Sequence, residues 1–264
     1  ELGFENLFVV SHGADPKIAE LCPKASVITI PRDTLEFFDR NRANLLNGIH
    51  AGLSNVYDWI IRTDADELIC YDPDLYPDLP SAISANAEAP VLTALGFELF
   101  ESNADTALTE QPTFSQRTNI AFSGHYSKAV AARRAIDFSL HGIRVAPRKL
   151  ESYPFTMPKG FYLAHLKFAN SDALHASNDV RMQVANSEGD GLPGAGWGKA
   201  DEDTIKLCRT FWDKPEKTWH AAEEHAFDTL SIKPTRKPQN NLIKTRALKL
   251  NYRTTLPEKF ARQG

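Results

Sequence analysis

In Tyr57-Asp58-Trp59-Ile60-Ile61-Arg62-Thr63-Asp64-Ala65-Asp66-Glu67-Leu68-Ile69 an apolar run gives way abruptly to acid. Trp59, Ile60 and Ile61 predict a short buried strand, two of them being β-branched. Asp64, Asp66 and Glu67 then bring three carboxylates to its end. Carboxylates this close repel one another at neutral pH and call for a cation, a cluster of donors or raised pKa values. A hard divalent ion meets that need, and Mg²⁺ is typically held by one or two carboxylates together with substrate phosphates. The plainer alternative is an exposed acidic turn, because Asp-x-Asp is short and recurs by chance.

Upstream, Leu7 to Val10 and Val27 to Ile30 read as strands, the second stopped by Pro31. Leu45, Ile49, Leu53 and Val56 recur at helical spacing, with Arg40, Arg42 and Asn44 near the start of that helix. Strand, helix and strand in alternation predict an α/β fold with a mostly parallel sheet. Ligands of such sheets bind outside the carboxyl ends of the strands, where both Asp15 and the Asp64/Asp66 pair fall.

Downstream, Val91 to Phe100 reads as one strong strand, and Ser102 to Gln116 as a long loop suited to a lid. Lys128 to Ala131 and Ile143 to Val145 read as short strands with Asp137 and His141 between them. Phe161 to Phe168 is the second informative stretch. As a strand it places His165 and Lys167 on one face, and a buried His beside a Lys needs polar partners. Ser171 is the expected cap of a helix through Leu174 to Val184, with Asp172 in its first turn. A Gly-rich loop from Gly189 to Gly198 carries Pro193 and Trp197, and Asp203 is read as the cap of the next helix.

The chain has 264 residues, with 42% hydrophobic and 24% charged, ordinary values for a globular protein with a real core. Its net charge of −4 gives no reason to expect nucleic acid as a partner. No apolar run approaches the roughly 18 residues of a membrane span. Cys22, Cys70 and Cys208 are scattered, which argues against a disulfide framework or a zinc site and fits a reducing, cytoplasmic setting. Residues 232–264 hold nine Lys or Arg against one acid, Glu258, a net +8 that leaves −12 elsewhere. The expected division is therefore 1–231 and a basic segment 232–264. Leu242, Ile243, Leu248 and Leu250 lie among those bases. Such a segment either rests on an anionic membrane face or packs its apolar residues on the domain.

The Asp64-Ala65-Asp66-Glu67 context, preceded by Asp58-Trp59, resembles the core of nucleotide-sugar glycosyltransferases of the GT-A, family 2-like type. The likeness extends over roughly residues 1–175, through Gly13 and Asp15 after an early strand and the Arg-bearing helix before the motif. It implies a Rossmann-like, mostly parallel sheet flanked by helices, and the helical and basic C-terminal extension expected beyond it is read from periodicity and charge alone. It implies metal ligation by Asp64, Asp66 and His165, with Mn²⁺ or Mg²⁺ holding a UDP- or GDP-linked sugar donor. Asp15, Arg40, Asp64, Lys128, His141 and Lys167 would contact that donor. A glycan or other hydroxyl would be the acceptor, in glycan or polysaccharide synthesis, with Asp137 and Asp172 as candidates for the base. The family's first strand is expected before Glu1. A phosphohydrolase using the same carboxylates and a non-catalytic sugar- or nucleotide-binding module remain the alternatives.

Overall fold

The structure is a computed structural model that describes residues 3–4, 6–31, 37–187, 189–192 and 195–264. Pro193 and the side chain of Asp203 lie outside the described residues. The fold is mixed α/β, and the strands form four sheets rather than one.

The largest sheet orders its strands Thr254–Thr255, Asn119–Phe122, Leu95–Phe100, Phe161–Phe168 and Glu67–Tyr71. A three-stranded sheet joins Ile60–Ile61, Ala129–Ala132 and Val91–Thr93. A four-stranded sheet holds the hairpin Asp137–Ser139 and Gly142–Arg144 beside Leu242–Lys244 and Thr235–Lys237. The expected mostly parallel sheet is corrected. Eight of the ten strand pairings among the described residues are antiparallel. The reason lies in the connections. A parallel pair needs a crossover of about a dozen residues or more, usually helical, and the chain supplies one in few places, whereas antiparallel pairing carries no such requirement. The N-terminal part follows the first pattern, the helix Pro16–Leu21 linking the parallel strands Phe8–His12 and Ser26–Ile30, and the other parallel pair, Leu95–Phe100 with Phe161–Phe168, is joined by the long excursion through residues 101–160.

The expected strand Val91 to Phe100 is divided at Ala94 between two sheets. Ala94 donates its N–H to the Lys128 carbonyl, 2.9 Å away, where the chain passes from one sheet to the other. Strands Asn119–Phe122 and Glu67–Tyr71 had no separate signal in the sequence reading. The helix expected from Ser171 spans Ser171–Ala185, but Asn170 is its cap and accepts from the Ala173 N–H.

The central strand Phe161–Phe168 separates two cores. Tyr162 and Ala164 enter the larger one, with Phe97, Phe122 and the helix Trp219–Leu230. Phe161 and Leu163 enter the other, with Ile69, Leu92 and Val130. Period-two alternation puts His165 next on that second face, where the apolar packing stops. The basic segment is built into the same body and is strand and 3₁₀ turn, the C-terminal helices falling before it within 171–230. Leu242, Ile243 and Leu250 are buried, and Tyr252, Leu256 and Phe260 complete the larger core. Among the described residues, no helix is long and apolar enough to cross a membrane.

Candidate active site

The acidic stretch forms a tight turn. The Glu67 N–H donates to the Asp64 carbonyl at 3.2 Å, and the Glu67 carboxylate accepts the Asp64 N–H at 3.0 Å. The turn is tied to the central strand by the Leu166 N–H, which donates to the Asp66 carbonyl at 2.8 Å. This bond brings the Asp66 carboxylate to 3.4 Å from His165 Nε2. Arg181, from the helix after the central strand, approaches the same carboxylate at 3.7 Å. Lys128 serves the other two acids, 2.7 Å from Glu67 and 3.1 Å from Asp64.

Each titration shift follows from these contacts. Burial works to raise the pKa of Asp64 and Asp66, yet Lys128 holds Asp64 below its ordinary value, and His165 with Arg181 does the same for Asp66. Glu67 is more deeply enclosed, and burial keeps its pKa raised against the pull of Lys128. For His165 burial disfavours the charge, but the carboxylates of Asp66 and Glu98 outweigh it and raise the pKa.

Cross-strand register accounts for this gathering. His165 lies opposite Glu98 on one neighbouring strand and Glu67 on the other, so the three side chains form a row on one sheet face. One row back stand Gly96, Leu163 and Ile69. A Cβ at Gly96 would lie 2.3 Å from the Tyr126 backbone, so only glycine lets the segment 124–127 cross the sheet here. That crossing stacks the Tyr126 ring on the His165 imidazole at 4.1 Å. His141 stands beyond Tyr126 in the two-residue turn of its hairpin. Leu140 and His141 both have positive φ, 46° and 68°, as a type I′ turn requires, without the glycine that usually relieves it. Its Nδ1 lies 2.6 Å from the His125 carbonyl, and burial lowers its pKa to about 4.

These groups line a cleft of about 2770 Å³. Its lining includes Phe8, Val10, Trp59, Ile60 and Ile61, which leaves the expected buried strand only half-buried. Trp197 also lines the cleft, 6.0 Å from both the Arg181 guanidinium and the Phe38 ring.

Of the residues expected from the sequence, Asp64, Asp66, His141, His165 and Lys167 line this cleft, and Lys128 reaches it through its carboxylate partners. The others are placed elsewhere. Asp15 is exposed and caps the helix Pro16–Leu21 through the Lys17 N–H. Arg40 packs on Phe37 at 4.0 Å, while Arg42 lines the cleft in its stead. Asp137 and Asp172 are exposed and do not line the cleft. Glu98, Tyr126 and Arg181 were missed. Glu98 sits inside an otherwise apolar strand, which was a signal available to the sequence reading.

A divalent ion fits part of this donor set. Asp66 Oδ2 and His165 Nε2, 3.4 Å apart, are near the roughly 3 Å spacing of two adjacent ligands on such an ion. Asp64, the expected third ligand, is engaged by Lys128. Among the described residues, no three His, Cys, Asp or Glu converge as a ready-made metal cage. A carboxylate and an imidazole completed by phosphate and water suit Mn²⁺ better than Mg²⁺, which prefers oxygen ligands. No protein-family model matches the chain, and no match is found among curated proteins.

Proposed function

We propose that the chain is a metal-dependent glycosyltransferase of GT-A type, moving a sugar from a UDP- or GDP-linked donor to an acceptor hydroxyl with inversion. One observation carries this reading: acids and cations alternate within a few ångströms where the Asp64–Glu67 turn meets the central strand at the wall of a large cleft. Such a mixed field suits a diphosphate bound through a cation.

Asp66 and His165 would hold Mn²⁺ or Mg²⁺, with Asp64 joining once released from Lys128. The ion, when bound, neutralises charge on the departing diphosphate. Arg181 and Lys128 add fixed positive charge beside it, and Arg42 and Lys167 add more along the cleft. Trp197, in the cleft lining beside Arg181, offers a flat apolar surface for the sugar or the base. The acceptor proton needs a base at the cleft, where neither Asp137 nor Asp172 stands. A cytoplasmic location belongs to the same proposal.

Calorimetric titration with UDP and GDP, each with and without Mn²⁺, tests it. Manganese-dependent binding of one nucleotide, lost in Asp66→Ala, is the expected result. Absence of binding to either nucleotide with Mn²⁺ present would overturn it and favour a non-catalytic module. Phosphate release from simple esters without a nucleotide sugar would favour a phosphohydrolase.

A further inference from the structure

We propose that Glu98 is the positioning residue of this site, holding the His165 imidazole with its proton on Nδ1 so that Nε2 is presented beside Asp66. The inference rests on the metal reading above for its consequence, but not for its geometry.

Glu98 and His165 are register partners on adjacent parallel strands, so the backbone itself sets their side chains abreast. Glu98 Oε1 lies 3.8 Å from His165 Nδ1. Both atoms are buried and neither has a hydrogen-bond partner. A buried donor or acceptor left unpaired carries its full desolvation penalty, and here each is the group that can relieve the other. Closing the gap to an ordinary hydrogen bond needs a shift of roughly 0.8 Å, which side-chain rotation supplies. The imidazole cannot easily turn away, because Tyr126 is stacked on its face with the planes 19° apart.

The two carboxylates beside the ring differ in standing. The Glu98 side chain is 12% exposed and the Asp66 side chain 38% exposed. The drier partner forms the stronger bond, so a neutral His165 carries its proton towards Glu98. The Nε2 lone pair then faces Asp66 and the cleft, the orientation an imidazole must have to act as a ligand. A carboxylate behind a ligating histidine fixes its tautomer and ring orientation, and removing one commonly weakens metal binding ten- to a hundredfold.

The test uses nitrogen NMR of the imidazole in the metal-free protein, at a pH where His165 is neutral. Wild type is expected to show the Nδ1–H tautomer. Glu98→Gln, which keeps an acceptor oxygen, should retain it, and Glu98→Leu should move the proton to Nε2 with the fold intact by circular dichroism. Mn²⁺ affinity, read by electron paramagnetic resonance, should fall about ten- to a hundredfold in Glu98→Leu and recover largely in Glu98→Gln. An Nε2–H tautomer in wild type, or an unchanged tautomer in Glu98→Leu, overturns the role of Glu98. Equal Mn²⁺ affinity in wild type and Glu98→Leu overturns it as well. A wild type that binds no Mn²⁺ overturns the metal reading instead, and the tautomer measurement still decides Glu98.

Discussion

Lys128 is the side chain on which the acidic turn depends. It neutralises Glu67, whose side chain is only 4% exposed. Removing one partner of such a pair leaves a charge without compensation inside the protein. Lys128→Met is expected to lower stability by about 3–5 kcal/mol in urea denaturation, and adding Glu67→Gln should recover most of the loss. His165 carries the pH dependence. Its folded pKa is raised above the ordinary 6.5, against burial, by Asp66 and Glu98. A raised histidine contributes stability that is complete below the unfolded value and lost as pH rises through the folded one. In metal-free buffer the unfolding free energy should therefore decline from pH 6.5 upward, and Asp66→Asn should flatten that slope. His50, His125 and His141 are lowered chiefly by burial, so their contributions change below 6.5 and leave this window clear.

Secondary-structure elements differ sharply in how much they bury. All of Phe161 to His165 is buried, with a strand hydrogen-bonded along each edge. The N-terminal unit is the opposite case. The helix Pro16–Leu21 has no buried residue, and four of the five residues of Ser26–Ile30 are exposed. Leu21, Val27 and Ile28 are exposed apolar side chains there. Few buried contacts mean a low free energy of local opening. Amide hydrogen exchange should therefore be faster over residues 8–30 than over 161–168 in the same sample. Equal protection of the two would show that the N-terminal unit is held by more than its own contacts. Phe8 and Val10 are thus a more yielding part of the cleft lining, while His165 stands on the well-packed central strand.

The body as a whole is closed by its last residues. Phe260 is fully buried against Tyr162 and Trp219, with ring centroids 5.8 and 5.2 Å away. Lys259 bonds both Asp72 and Asp74 at 2.7 Å, and Gln263 exchanges two hydrogen bonds with the Tyr71 backbone. Tyr71 ends the strand that begins at Glu67, so the closing segment braces the far end of the site's own strand. Phe260→Ala should cost about 3–5 kcal/mol, as large aromatic truncations in a core do, measured by the urea midpoint. A loss below about 1 kcal/mol would mean that the segment lies on the body without supporting it.

Local pattern sufficed for the strand Phe161–Phe168, the acidic turn and the helix through Leu45, Ile49 and Leu53, though Val56 lies exposed beyond its end, because apolar period and turn chemistry are properties of neighbouring residues. It also placed His165 and Lys167 on one face. Pairing was beyond it. Whether Leu95–Phe100 lies parallel or antiparallel to its neighbours depends on segments far along the chain. Nothing near Ala94 announced that one apolar run would serve two sheets. The same limit hid Glu98, which faces His165 only through strand register, and Arg181, which reaches Asp66 only through the packing of its helix. It also let Asp15, Asp137 and Asp172 stand as candidates that the fold leaves outside the cleft. Sequence by itself determined which residues could be acidic, buried or helical. Tertiary structure decided which of them meet, because contact between distant residues is set by the pairing of whole strands.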